Sequence, residues 1–172
     1  MKKYNKKSDR TFEVLLSATI FDPKSKKIIR RYPPIRPHSF LTQYAKLLYG
    51  QFNAIDQPIM TPAGTTFTPS NGQLSMRLNA PVNDTSYGIV IGSSDQEVSI
   101  DDYKLITQLT TNIQHSATSV NLEAIDANTW QIHATRSFTN NTGTTISINE
   151  VGLYTYTAYG SKHAIDRTLF VY

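Results

Sequence analysis

Cysteine is absent from all 172 residues, which excludes a disulfide framework, a thiolate nucleophile, a zinc knuckle and an iron–sulfur site. Charge is scarce too: Asp, Glu, Lys and Arg together make up only 17% of the chain, well below what disordered or coiled-coil sequences carry. No apolar run approaches the roughly 18 residues that a membrane span requires. The Lys-rich start, Met1 to Arg10, leads into alternating residues and not into the apolar core of a signal peptide, so a soluble, non-exported protein is expected. Helix-forming composition is thin, while Thr, Ser and Asn crowd the second half. This balance fits a β-rich globular protein.

The charge that is present is unevenly placed. Residues 1 to 36 hold eleven basic side chains against three acidic ones, a net of +8, and the other 136 residues sum to −4. A basic end on a mildly acidic body suits an arm that docks on an acidic surface, either nucleic acid or the body of a neighbouring copy. A simply solvated N-terminus is the plain alternative.

Hydrophobic periodicity organises the rest. Phe12, Val14 and Leu16 alternate with Glu13, Leu15 and Ser17, predicting a strand over 11 to 21. The turn Asp22-Pro23-Lys24-Ser25-Lys26-Lys27 leads to a second strand, Ile28 to Tyr32, closed by Pro33, Pro34 and Pro37. After Ser39, the apolar residues Phe40, Leu41, Tyr44, Leu47, Leu48 and Phe52 recur at helical spacing, predicting one helix over 39 to 52. Pro58, Pro62, Pro69, Gly64 and Gly72 make residues 53 to 73 a long loop or extended arm. Tyr87 to Gly92 reads as a fully buried strand. His115 to Ile125 and Thr129 to Phe138 read as a hairpin, with Trp130, Ile132, Ala134 and Phe138 facing a core that includes Ile89, Ile91 and Leu153. Ile146 and Ile148, Val151 to Tyr156, and Thr168 to Tyr172 continue in the same style. The expected fold is mainly β: an antiparallel β-sandwich of about eight strands with one amphipathic helix, residues 37 to 172, preceded by an N-terminal arm and hairpin, residues 1 to 36.

Chemistry is harder to find. Gly88 to Gly92 is spaced GxxxG inside a strand and lacks the form of a phosphate cradle. His38, His115, His133 and His163 are far apart, and His133 falls on the polar parity of its strand. Asp95, Glu97, Asp101 and Asp102 could in principle attract calcium but lack the glycine and terminal glutamate of an EF-hand loop, so a solvated acidic loop is expected. Glu123 and Asp126 flank a turn and not a cleft. Arg136 sits on the apolar parity, where an unpaired charge is costly. Either an ion pair with Glu150 or a place at an exposed sheet edge would account for it. The ten tyrosines keep a sugar-stacking surface open as an alternative.

Two stretches, YGIVIGSSDQEVSIDDYKLI at 87 to 106 and RSFTNNTGTTISINEVGLY at 136 to 154, resemble a family of small proteins of tailed bacteriophages that read as virion components. The shared pattern is GIVVG, a Thr/Ser-rich loop and D-Y-x-L, then R-x-F-x-N-N-x-G-x-x-I-x-I-x-E-V/I-G-L-Y. The segment Ser39 to Phe52 is similar to that family's S-F-hydrophobic-L-L-Y-x-x-F stretch, and N-E-V-G-L-Y also resembles the start of some tail-fibre proteins. Two departures are visible: such proteins continue beyond the R-x-L segment, whereas this sequence stops at Tyr172, and the basic residues 1 to 36 lie outside the matching core.

The resemblance implies a non-enzymatic structural component of a virion, made in the host cytoplasm, with neck, tail or tail tip favoured over the capsid surface. It implies no catalytic residue, cofactor or metal. The expected partners are further copies of the chain and other virion proteins; nucleic acid is an open partner, a membrane is not expected, and a host-surface glycan-binding module is the alternative. The candidate assembly contacts are Lys2, Lys3, Lys6, Lys7, Arg10, Arg30 and Arg31 in the arm and Leu169, Phe170 and Tyr172 at the apolar end.

Overall fold

The computed structural model describes residues 15–22, 24–35, 41, 42, 44, 46, 56, 58–68, 77–124, 130–156 and 162–169, with Ala124, Trp130, Gln131, His163, Ile165, Asp166, Thr168 and Leu169 described by backbone alone. The protein is mainly β, with 45% strand and 3% helix, and every strand pairing is antiparallel. Two compact units divide the chain, Met1–Pro37 and His38–Tyr172.

In the first unit, β1 (Leu16–Phe21) pairs with β2 (Ile28–Ile35). The connecting turn is built by Asp22, whose Oδ1 accepts the Lys24 amide at 3.0 Å and the Ser25 amide at 2.6 Å, with Lys26 at a positive φ of 58°. These amide bonds, that from Ser25 above all, hold the Asp22 carboxyl below its ordinary range. Pro33 and Pro34 do not end β2 as the sequence suggests. The strand runs through them to Ile35 because the register shifts between Leu16 and Ala18, and the bulge accommodates residues that cannot donate to a ladder.

The second unit centres on a three-stranded sheet ordered β11 (Lys162–Leu169), β10 (Glu150–Tyr156), β5 (Gly88–Gly92). β5 and β10 are buried along nearly their whole length. One face joins Val90 and Tyr154 to Leu41, Leu105 and Ala164, with Tyr87 and Val98 packed at its margin. Leu153 points the other way, against Ile59 with Tyr44, Phe67 and Leu78. The free edge of β5 is met by residues 107 to 109: Ser93 N donates to Thr107 O and Leu109 N to Ile91 O, both at 2.9 Å.

Three further two-stranded ladders complete the described structure. β3 (Ile59–Met60) and β4 (Thr66–Phe67) form a short hairpin within what the sequence presents as a loop, and Ile59 is fully buried there. β6 (Ile113–His115) pairs with β9 (Phe138–Asn140), and β7 (Ser119–Ala124) with β8 (Trp130–Thr135). The expected hairpin therefore exists but is broken at 116 to 118 and at 136 to 137 into two separate ladders. Ile146 and Ile148 lie outside any strand. The last strand starts at Lys162, six residues earlier than the apolar run indicates, and is paired with β10; Phe170 to Tyr172 lie outside the described residues. Thr42, Tyr44 and Lys46 have helical backbone, and the rest of the helix expected over 39 to 52, Leu41 apart, also lies outside them.

The inward orientation expected for Ile132 is overturned, since Ile132 is 66% exposed. Direct cross-strand pairing places Leu122 opposite Ile132 and Val120 opposite Ala134 on one face, while Asn121 and His133 share the other. The periodicity separates the faces correctly, but the apolar one points to solvent.

Gly88 is the position where glycine is required. Its φ is +79°, and a Cβ there would lie 2.5 Å from Thr118 Oγ1 and 2.8 Å from the Leu78 carbonyl. Gly88→Ala is expected to lower stability by about 2–4 kcal/mol from left-handed strain plus overpacking. Urea denaturation measures it, and an unchanged midpoint would show that the backbone relaxes freely here.

Candidate functional site

Residues from the stretches 87 to 106 and 136 to 154 converge with β11 on buried charge. Glu150 opens β10 and Arg167 lies near the end of β11, opposite Gly152 in the register. Both side chains are fully buried, and Arg167 Nε donates to Glu150 Oε2 at 2.9 Å. Arg167 Nη1 also donates to Asp102 Oδ2 at 2.7 Å and to the Glu97 carbonyl at 3.1 Å, and Nη2 to the Gln96 carbonyl at 2.8 Å. Glu150 is equally engaged: its oxygens accept the Ile106 amide at 3.1 Å and the Thr107 amide at 2.8 Å. One ion pair thus ties β10 and β11 to the loop from 96 to 107.

Glycine makes the space for it. Gly92 stands opposite Glu150, and a Cβ on Gly92 would fall 2.4 Å from Glu150 Oε1. Gly152 is closed in by Tyr154, Leu105 and Val90. The neighbouring Tyr154 hydroxyl accepts the Leu105 amide at 2.5 Å, and burial raises its pKa well above the usual phenol range.

Arg136 forms a second clasp, made without a carboxylate partner. Its Nε donates to the Ser116 carbonyl at 2.9 Å, Nη1 to those of Tyr87 at 3.1 Å and Ile89 at 3.0 Å, and Nη2 to those of Pro81 at 3.3 Å and Asp84. Five backbone acceptors from three stretches of chain satisfy one planar fork. The expected Arg136–Glu150 pair is therefore incorrect: Glu150 is committed to Arg167, and carbonyls at the bends 81 to 89 and 116 take the guanidinium. Nor does Arg136 mark an exposed edge, since it is half-buried. Burial lowers its pKa, opposed by the charge of Asp84.

Beside this clasp lies His115, with no exposed surface and neither ring nitrogen hydrogen-bonded. Its ring meets Phe138 edge-on at 5.1 Å. Burial, and then the Arg136 charge, lower its pKa from 6.5, while the Leu109 backbone and Asp84 pull the other way.

The sequence reading does not single out Arg167, and it treats His115 only as one of four scattered histidines. An arginine between Ala164 and Leu169 is the same clue that singled out Arg136, and it could have been found; nothing local distinguishes His115 from His133, which is exposed. Of the candidate assembly residues, Arg30 and Arg31 lie exposed on β2, and Arg30 stacks on the Tyr32 ring at 4.7 Å. Leu169 ends β11, and Lys2, Lys3, Lys6, Lys7, Arg10, Phe170 and Tyr172 lie outside the described residues. Of the acidic loop, Asp102 is engaged by Arg167, and among the described residues no group of three or more His, Asp or Glu is placed to hold a metal.

Two surfaces remain. The β1–β2 hairpin exposes Ile20, Phe21, Ile28 and Ile29, the last at 67%, and the β7–β8 hairpin exposes Val120, Leu122 and Ile132. An open groove of about 430 Å³ is lined by Thr61, Thr85, Ser86, Gln108, Thr110 and Lys162, among others.

Removing the Arg167 cation leaves Glu150 buried without its counter-charge, so Arg167→Met is expected to cost about 3–5 kcal/mol, and Glu150→Gln combined with it to recover part of that loss. Denaturant titration of the two variants checks the coupling; equal midpoints would mean the pair is not coupled.

His115 binds a proton less readily when folded than when unfolded, so protonation favours the unfolded chain. Its stabilising contribution is full above about pH 6.5 and is lost progressively as pH falls from there toward the lowered folded value. Melting temperatures at pH 7.5 and pH 5.5 should differ more for the parent than for His115→Leu.

Compared with protein-family models, curated proteins and solved structures, the chain matches none of them.

Proposed function

We propose that this protein is a non-enzymatic structural component of a tailed-phage virion, assembling with copies of itself and with neighbouring virion proteins, in the neck, tail or tail tip before the capsid surface. The observation that carries the reading is the pair of two-stranded hairpins whose aliphatic side chains face solvent. An isolated two-stranded ladder is marginally stable in water, and exposed apolar patches on such elements mark contact surfaces. The motif residues support the same view: Arg136, Glu150 and Arg167 have their hydrogen-bonding capacity directed to backbone and to one another, which holds loops in place and leaves little for a substrate. The sandwich of about eight strands with a helix over 39 to 52 belongs to this proposal, as the arrangement that the separate ladders would complete. The basic residues of the arm extend the contact to an acidic neighbour, protein or nucleic acid.

Purified virions should contain the protein at a fixed copy number, and deletion of Met1 to Arg10 should lower that number while the body stays folded. Absence from particles, or full incorporation of the truncated chain, would remove the reading or its arm respectively; quantitative mass spectrometry of particles measures both. Host-surface glycan binding is the second reading, resting on the open groove beside Lys162, where Pro62, Ala63 and Tyr154 join the hydroxyl and amide side chains, and a glycan array tests it.

A further inference from the structure

We infer that the β1–β2 hairpin of one copy packs face to face on the β7–β8 hairpin of a second copy. This rests on the assembly reading and names its partner and surface. Both elements are two-stranded antiparallel ladders, and each leaves a directly paired set of apolar side chains exposed on one face in the single chain: Phe21 opposite Ile28 on the first, Leu122 opposite Ile132 on the second. Two such faces packed about 10 Å apart make the core of a small sandwich, closing each apolar surface against the other.

Charge selects this pairing over the alternatives. Residues 15 to 35 carry Lys24, Lys26, Lys27, Arg30 and Arg31 against Asp22, a net of +4, and Asp22 is already engaged in shaping the turn. Residues 119 to 135 carry Glu123 and Asp126 and no Lys or Arg, a net of −2 with His133 neutral. Pairing either hairpin with its own copy sets like charges together, whereas pairing one with the other sets opposite charges together at the connecting ends. The contact is then heterologous, so repetition gives a ring or a filament and not an isolated two-fold dimer.

A charge swap tests it on the full chain. Lys24→Glu/Lys26→Glu/Lys27→Glu reverses one tip, and Glu123→Lys/Asp126→Lys reverses the other. In sedimentation velocity each variant alone should associate at least about tenfold more weakly than the parent, and an equimolar mixture should recover association because reversed tip meets reversed face. Recovery supports the contact; a mixture as weak as its components, or variants as strong as the parent, overturns it. A photo-crosslinker at Leu122 supplies a second readout: a covalent dimer joined to peptide 15–35 supports the pairing, and a crosslink within one chain or to another region overturns it. Particle copy number separates the two levels. A chain present in virions but indifferent to the swap sinks only this contact, while a chain absent from virions sinks the virion reading whatever the swap shows.

Discussion

A guanidinium with no exposed surface has to be surrounded by acceptors, and Arg167 draws them from places far apart in sequence. Its two carboxylates come from Glu150 and Asp102 and its two carbonyls from Gln96 and Glu97. Because desolvating a charge is expensive, the arrangement is intolerant of partial assembly: β10, β11 and the 96–107 loop are in place together or the cation is stranded. The glycines follow from the same constraint. Gly92 leaves room for the Glu150 carboxylate, and Gly152 lets the sheet close against Leu105 and Val90. Glu150 in turn holds the amides of Ile106 and Thr107, which places residues 107 to 109 along the outer edge of β5.

Arg136 solves the same problem with neutral acceptors. Five carbonyls at bends around residues 81 to 89 and 116 converge on it, so irregular backbone that would otherwise need water is satisfied inside the protein. His115 sits in the shadow of this clasp. Burial and the nearby Arg136 cation disfavour its protonated form, which makes one corner of the fold sensitive to acid. The second unit is thus organised by one buried and one half-buried arginine as much as by its apolar clusters.

Against the two arginine clasps, the hairpins stand out as unfinished. Leu122 and Ile132 are both 66% exposed on a ladder with no third strand among the described residues. The basic β1–β2 hairpin has the same character with the opposite charge. The proposed assembly would cover both ladders with neighbouring copies.

Local pattern by itself determined the β class, the buried strand within Tyr87 to Gly92, the turn at Asp22 to Lys27, the strand over Val151 to Tyr156 and the alternation of apolar and polar residues from Trp130 to Thr135. Each is a matter of period, turn chemistry or glycine placement within a few residues. Only tertiary structure decided that the apolar face of β8 is exposed, that the hairpin after His115 splits into two ladders, that Pro33 and Pro34 are absorbed in a bulge, and which acceptors serve which arginine. The physical reason is common to all four. A period of two separates faces without saying which one is inside, and an arginine's cost of burial announces that partners exist without naming them. Glu150 and Arg167 are 17 residues apart and Arg136 and Tyr87 are 49 apart, so their pairing is a property of how strands stack and loops return, and no window of sequence contains it.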